Sequence, residues 1–209
     1  MKAVAVIQVR MGSTRFPGKI MMKLDDKFTV LDYVIRQLGH SKLLENIIIA
    51  TTNLEQDDII VQYAKDNDLA YFRGEVLDVL DRYYQCAKKF SLDVIVRMTS
   101  DAPFLDPTVV DEAISKFQET GCDFVSNNII RTYPIGIDTE VFSMEALKKT
   151  WNEAELPSER EHVTPFMKKN KEIFKLYNLE NKKKIPIYRL TIDRNEDLEF
   201  LQAIATNIT

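Results

Sequence analysis

Short apolar runs rich in β-branched residues alternate along the first 127 positions with longer stretches in which apolar residues recur every three or four places. The short runs at 3–9, 46–51, 70–73, 93–98 and 123–126 predict strands, and the stretches 30–43, 56–67, 79–90 and 107–120 predict helices. In the third of these helices Val79, Leu80, Tyr83, Ala87 and Phe90 form one stripe to lay on a sheet. Asp106 followed by Pro107 supplies a cap and a first-turn proline for the fourth. Strands alternating with helices predict an α/β fold with a mostly parallel central sheet and helices on both faces. Beyond residue 127 the pattern becomes a strand at 133–142, helices at 144–155 and 158–169, strands at 173–179 and 187–192, and a last helix. Ligands of open α/β sheets sit beyond the carboxyl ends of the strands, so the loops after residues 9, 51, 98 and 127 are where chemistry is expected.

Length and composition narrow the class. With 209 residues and no repeat or low-complexity linker, the chain reads as one domain, its 1–127 half carrying the strand-end loops and its 128–209 half closing over them. Cys86 and Cys122 are too few for a disulfide framework or a cysteine zinc site, which fits a cytoplasmic protein. Twenty-eight basic against thirty-two acidic residues give a net charge of -4, so nucleic acid is not an expected partner. No apolar run approaches the roughly 20 residues that span a bilayer, and the N-terminus has no signal-peptide pattern.

The loop after the first strand concentrates charge. Arg10, Arg15 and Lys19 flank Gly12, Ser13 and Gly18, whose backbones can approach a ligand closely and offer N–H groups, an arrangement suited to a polyphosphate. It is neither a Walker loop nor a GxGxxG fingerprint. Asp101 follows the strand at 93–98 directly and can give Mg²⁺ the carboxylate it takes alongside phosphate oxygens. Asp193, ending the strand at 187–192, is the candidate second carboxylate, although with Glu196 it also reads as the capping box of the last helix. Thr51, Thr52 and Asn53 after the second strand, Arg73 after the third and Thr99 after the fourth are candidates for the nucleoside end of a ligand.

Arg10-Met-Gly-Ser-Thr-Arg-Phe-Pro-Gly-Lys19 resembles the nucleotide-binding loop of the cytidylyltransferases that activate acidic sugars. The likeness continues through Ala50-Thr-Thr-Asn53, Asp78-Val-Leu-Asp-Arg82, Thr99-Ser-Asp-Ala-Pro103, Tyr133-Pro-Ile-Gly-Ile-Asp-Thr-Glu140, Glu159-Arg-Glu-His-Val-Thr-Pro165 and Leu190-Thr-Ile-Asp193, and is nearest to the SpsF-type branch of spore coat polysaccharide biosynthesis. The resemblance implies a nucleotide-diphospho-sugar transferase (GT-A, Rossmann-like) fold, CTP and a sugar as substrates, and Mg²⁺ held by Asp101 and Asp193. It makes the first half nucleotide-binding and the second sugar-binding. Asp138 and Glu140, expected on one face of one strand, would line the sugar pocket with Arg160 and His162. A glycosyltransferase using a nucleotide-sugar and a non-catalytic nucleotide sensor are the competing readings, and a homodimer is left open.

Overall fold

The computed structural model describes residues 2–13 and 15–208. Among them a seven-stranded sheet runs in the order β3-β2-β1-β4-β6-β5-β7. The strands are β1 Ala3–Gln8, β2 Leu44–Thr52, β3 Ala70–Gly74, β4 Val94–Thr99, β5 Phe124–Ser126, β6 Glu140–Ser143 and β7 Leu176–Asn178. Helices α1 Val30–Leu38, α2 Asp58–Asp66, α3 Val79–Lys89 and α4 Pro107–Thr120 occupy the first half, and α5 Met144–Glu153, α6 Pro157–His162, α7 Pro165–Lys169 and α8 Asn195–Ile208 the second.

Alternation along β1 shows why the sheet needs two layers of helix. Ala3, Ala5 and Ile7 pack with Leu31, Val34, Val110 and Ile114 of α1 and α4. Val4 and Val6 point the other way, into Leu80, Tyr83 and Ala87 of α3 and Leu147 of α5. Both faces are therefore dry, as the expected parallel core requires. β1, β2, β3 and β4 pair in parallel, whereas β6 is antiparallel to β4 and β5. No helix lies between β5 and β6, and without a crossover the chain returns in the opposite sense.

Helix starts follow the sequence chemistry. The Asp106 side chain accepts from the Thr108 amide at the start of α4, and Thr29 and Asp32 form a full capping box on α1. Three expectations are corrected. The strand foreseen at 133–142 begins only at Glu140, because Pro134 cannot donate to a ladder and Gly136 turns the backbone to φ 103°. Segment 187–192 is no strand; a single bridge joins Arg189 to Ile135, with the Ile135 amide donating to the Tyr188 carbonyl at 2.8 Å. The helix at 158–169 is two helices, since Pro165 has no N–H to continue the first.

β1 leads through α1 to β2 on one side, while β4 lies against its other edge. That reversal of winding opens a crevice at the carboxyl ends of β1 and β4. The stretch that ends in Asp193 reaches the crevice by pressing on Gly136, where an added Cβ would lie 2.8 Å from the Leu190 carbonyl oxygen. Gly136→Ala should cost about 1 to 3 kcal/mol, from the left-handed backbone plus this clash, and lower the melting temperature by several degrees. An unchanged melting curve would show that the two segments do not depend on their close approach.

Candidate active site

The crevice is a cleft of about 380 Å³ lined by Gln8, Arg10, Ser13, Arg15, Lys19, Thr99, Ser100, Asp101 and Asp193, with Val79 and Arg82 of α3 and Glu161 and His162 of α6 on its rim and walls. Loop 10–19, of which Thr14 lies outside the described residues, closes on itself: the Met11 carbonyl accepts from the amides of Ser13 at 2.9 Å and Gly18 at 3.0 Å. Gly18 at φ 73° turns the chain so that Lys19 starts a short 3-10 helix with its side chain facing inward. The loop is also fastened from behind, because the Met11 amide donates to the fully buried carboxylate of Asp57 at 2.7 Å.

Lys19 is the central cation. Its side chain is 9% exposed, and the ammonium lies 3.0 Å from Asp101 and 3.7 Å from Asp193 and also donates to the Ile192 carbonyl. Arg15 meets Asp193 at 2.8 Å, and Arg189 pairs with the same carboxylate. Asp193 therefore does not cap the last helix. α8 begins at Asn195, and the Asp197 carboxylate accepts the amides of Asp193 and Arg194 at 2.8 and 2.9 Å, taking the part expected of Glu196. No cluster of three His, Cys, Asp or Glu side chains suited to a metal exists among the described residues. Asp101 and Asp193, which meet around the Lys19 ammonium, are the two carboxylates that could serve Mg²⁺ with substrate phosphates completing its shell.

The structure brings Arg10, Ser13, Arg15, Lys19, Thr99, Asp101, His162 and Asp193 together as expected, and turns other candidates to different work. Thr51 is fully buried in β2, and the Thr52 hydroxyl donates to Asp57. Asn53 is exposed, held by its backbone to Gly74. The Arg73 guanidinium is spent on the carbonyls of Thr52 and Leu54, both at 2.8 Å, and on Asp58 at 2.5 Å. These residues brace the wall behind loop 10–19 and do not line the cleft. Gly12 lies in that loop against Gln56, whose amide nitrogen would sit 2.8 Å from an added Cβ.

The expected sugar-pocket set is dispersed in the same way. Asp138 precedes β6 and is held by both arms of Arg131 at 2.6 and 3.1 Å. Arg160 forks onto Asp78, the N-cap of α3, at 2.9 and 2.5 Å, and so pins α6 to α3. Glu140 is 2% exposed and sits between Arg97 at 2.7 Å, Lys168 at 2.6 Å and the Thr164 hydroxyl at 2.9 Å. Burial alone would raise its carboxyl, but Arg97 and then Lys168 overcome this and hold it down at about 2.

Gln8, Arg82 and Glu161 were not singled out from sequence. Gln8 ends an otherwise apolar strand, and that break in pattern was the available signal. Arg82 is 1% exposed; burial pulls its guanidinium below the ordinary value, and the neighbouring Arg10 charge acts in the same direction.

Comparison with known proteins agrees with this geometry. A family model described as cytidylyltransferase matches residues 4–208. The spore coat polysaccharide biosynthesis protein SpsF of Bacillus subtilis is 34% identical over 206 residues, covering 95% of this chain and 84% of its own. A cytidylyltransferase structure from Leptospira borgpetersenii superposes with a TM-score of 0.94 at 37% identity, over 99% of this chain and 87% of that one. A CMP:2-keto-3-deoxy-manno-octonic acid synthetase complexed with CTP shares the fold at TM-score 0.75 and 15% identity, over the full length of both. The nucleotide-diphospho-sugar transferase fold expected from sequence is the fold observed.

The depressed Glu140 carboxyl gives a signed expectation. A folded value of about 2 against an ordinary 4.5 means stability that is present above about 4.5 and lost as pH falls toward 2. Glu140→Gln should cost about 3 kcal/mol at pH 7, by leaving Arg97 and Lys168 without their anion, and should flatten the acid limb of the melting temperature between those values. Parallel melts of both proteins from pH 2 to 7 measure this; curves of the same shape would refute the assignment.

Proposed function

The chain belongs to the cytidylyltransferase family, and from that premise we propose that it transfers CMP from CTP to an acidic sugar, with release of pyrophosphate, for surface polysaccharide synthesis. The observation that carries this reading is the meeting of loop 10–19 with Asp101 and Asp193 in one cleft at the switch point of the sheet. A nucleotidyltransferase sets aside the glycosyltransferase and sensor readings. The sugar hydroxyl oxygen gives up its proton to water and forms a bond to the α-phosphorus as the bond from that phosphorus to the β-bridging oxygen breaks, and the electron pair leaves with pyrophosphate. Arg10, Arg15 and Lys19 place positive charge where the leaving group gains negative charge. Asp101 and Asp193 would hold Mg²⁺, which when bound neutralises phosphate charge and fixes the phosphates in line. His162, exposed at the cleft, is offered to the sugar.

Two expectations test this. Arg15→Ala should weaken CTP binding roughly tenfold to a hundredfold while leaving CMP nearly unaffected, because its charge is aimed beyond the α-phosphate. Calorimetry with both nucleotides decides it, and equal losses would remove Arg15 from the pyrophosphate end. Asp193→Asn and Asp101→Asn should each abolish most Mg²⁺-dependent pyrophosphate release from CTP and a panel of acidic sugars. The double variant should lose far less than the product of the single losses, since both would act through one ion. Normal metal dependence in Asp193→Asn would rule it out as a ligand.

A further inference from the structure

The Oε1 atom of Gln8 is buried and has no hydrogen-bond partner among the described residues. A buried acceptor left unmet costs about 1 to 3 kcal/mol, and such groups are rare enough to need a reason. Gln8 is the last residue of β1, in register with Ala50 on one side and Thr99 on the other, and its side chain lines the cleft. Strand alternation puts it on the face that Val4 and Val6 present to α3. It therefore shares a wall with Thr99 and with Val79 and Arg82 of α3, which line the same cleft. Arg82 is buried there, donating to the carbonyls of Glu75 at 2.9 and 2.7 Å and Val76 at 3.0 Å, and makes no ion pair among the described residues. The carboxylates of Asp101 and Asp193 are instead engaged with Lys19 and Arg15.

We propose that Gln8 selects the base of the nucleotide, its amide oxygen accepting a hydrogen bond from the exocyclic amine of cytosine. This deepens the cytidylyl reading and rests on it. With the amide in this orientation, phosphates and carboxylates, which only accept, leave Oε1 unmet, and a ligand that satisfies it brings an N–H or O–H donor to this wall. Cytosine carries an amine donor beside two acceptors, a pattern complementary to one amide oxygen next to a buried guanidinium. Uracil presents an acceptor where cytosine has the amine, which sets two oxygens against each other as long as the amide keeps Oε1 on this wall. The apolar surface of Val79 beside them suits a flat ring better than a sugar with hydroxyls on every edge.

The test uses the full-length protein, with CMP and UMP binding by calorimetry and kcat/KM for CTP and UTP with Mg²⁺. Gln8→Leu removes the amide, and Gln8→Glu keeps an acceptor oxygen. Gln8→Leu should weaken CMP roughly tenfold or more and leave UMP unchanged or tighter, collapsing the preference, while Gln8→Glu retains it. The melting temperature of Gln8→Leu should be unchanged or raised, because the free protein loses an unmet acceptor rather than a bond. An unchanged CMP to UMP ratio in Gln8→Leu, or equal losses for both nucleotides, overturns the assignment. A raised KM for the sugar with nucleotide preference intact also overturns it, placing Gln8 on the sugar. A wild-type protein without preference for cytosine overturns the cytidylyl reading itself, an outcome separate from any that depends on the variants.

Discussion

The Lys19 ammonium ties together three stretches of chain that are far apart in sequence. It is almost wholly removed from water and answered by Asp101 after β4, by the Ile192 carbonyl and by Asp193 before α8. Taking an ammonium out of water costs several kcal/mol unless anions and acceptors meet it, so the loop after β1 cannot fold inward alone. It needs the turn after β4 on one side and the segment before α8 on the other. That requirement closes the cleft, and it explains why a stretch with only one bridge to the sheet still has a defined place. Ile192 reinforces it by packing with Leu24, Val30, Leu198 and Leu201, and its amide donates to the Asp101 carbonyl at 3.0 Å.

Charge in this molecule divides into a front and a back. In front, the side chains of Arg10, Arg15, Lys19, Asp101 and Asp193 line the cleft, where a ligand can exchange with their present partners. Behind, Asp57, Arg73, Arg160 and Glu140 are committed to backbone groups or opposite charges that no ligand can replace without unfolding the wall. Both groups occur in motif-like stretches, and both suffer when substituted, but through different quantities. Loss of Arg10 or Arg15 in front shows in affinity and turnover, whereas loss of Asp57 or Glu140 behind shows first in stability, because buried partners are stranded.

This division marks the limit of what was legible in the sequence. The parallel core, the order of the first four strands' helices and the cleft loop were readable because period-two and period-3.6 patterns and the Gly18 turn are local properties of the chain. Asp101 was readable for the same reason, since a carboxylate directly after a β-strand has few places to point. The partners of Arg73 and Arg160 were not legible because they come from elsewhere in the fold: Leu54 and Asp58 for one, Asp78 and Trp151 for the other. Asp193 carried two readings in the sequence, and the capping one falls away because the pattern sits one residue further on, with Asp197 accepting the amide of Arg194, while the Asp193 carboxylate faces the cleft. Arg82 was hidden on α3 beside an apolar stripe, where an arginine normally belongs to the solvated face.

The turn between α6 and α7 links the back of the site to its front. Val163 has φ 70° and ψ -57°, and the Thr164 amide donates to the His162 carbonyl at 2.8 Å, which together define a γ-turn of the rarer, strained hand. For a β-branched residue such a backbone costs about 1 to 3 kcal/mol and persists only where its surroundings enforce it. The enforcement is visible: Val163 is fully buried with Met167 and Phe174, and the hydroxyl of Thr164 is held by Glu140, itself clamped by Arg97 and Lys168. The turn ends α6 so that Glu161 and His162 stand at the cleft, one residue away from a wholly buried position. A carboxylate buried away from the cleft lining thus helps fix where the exposed imidazole stands. The buried charge of Glu140 and the placement of His162 are two ends of one strained connection.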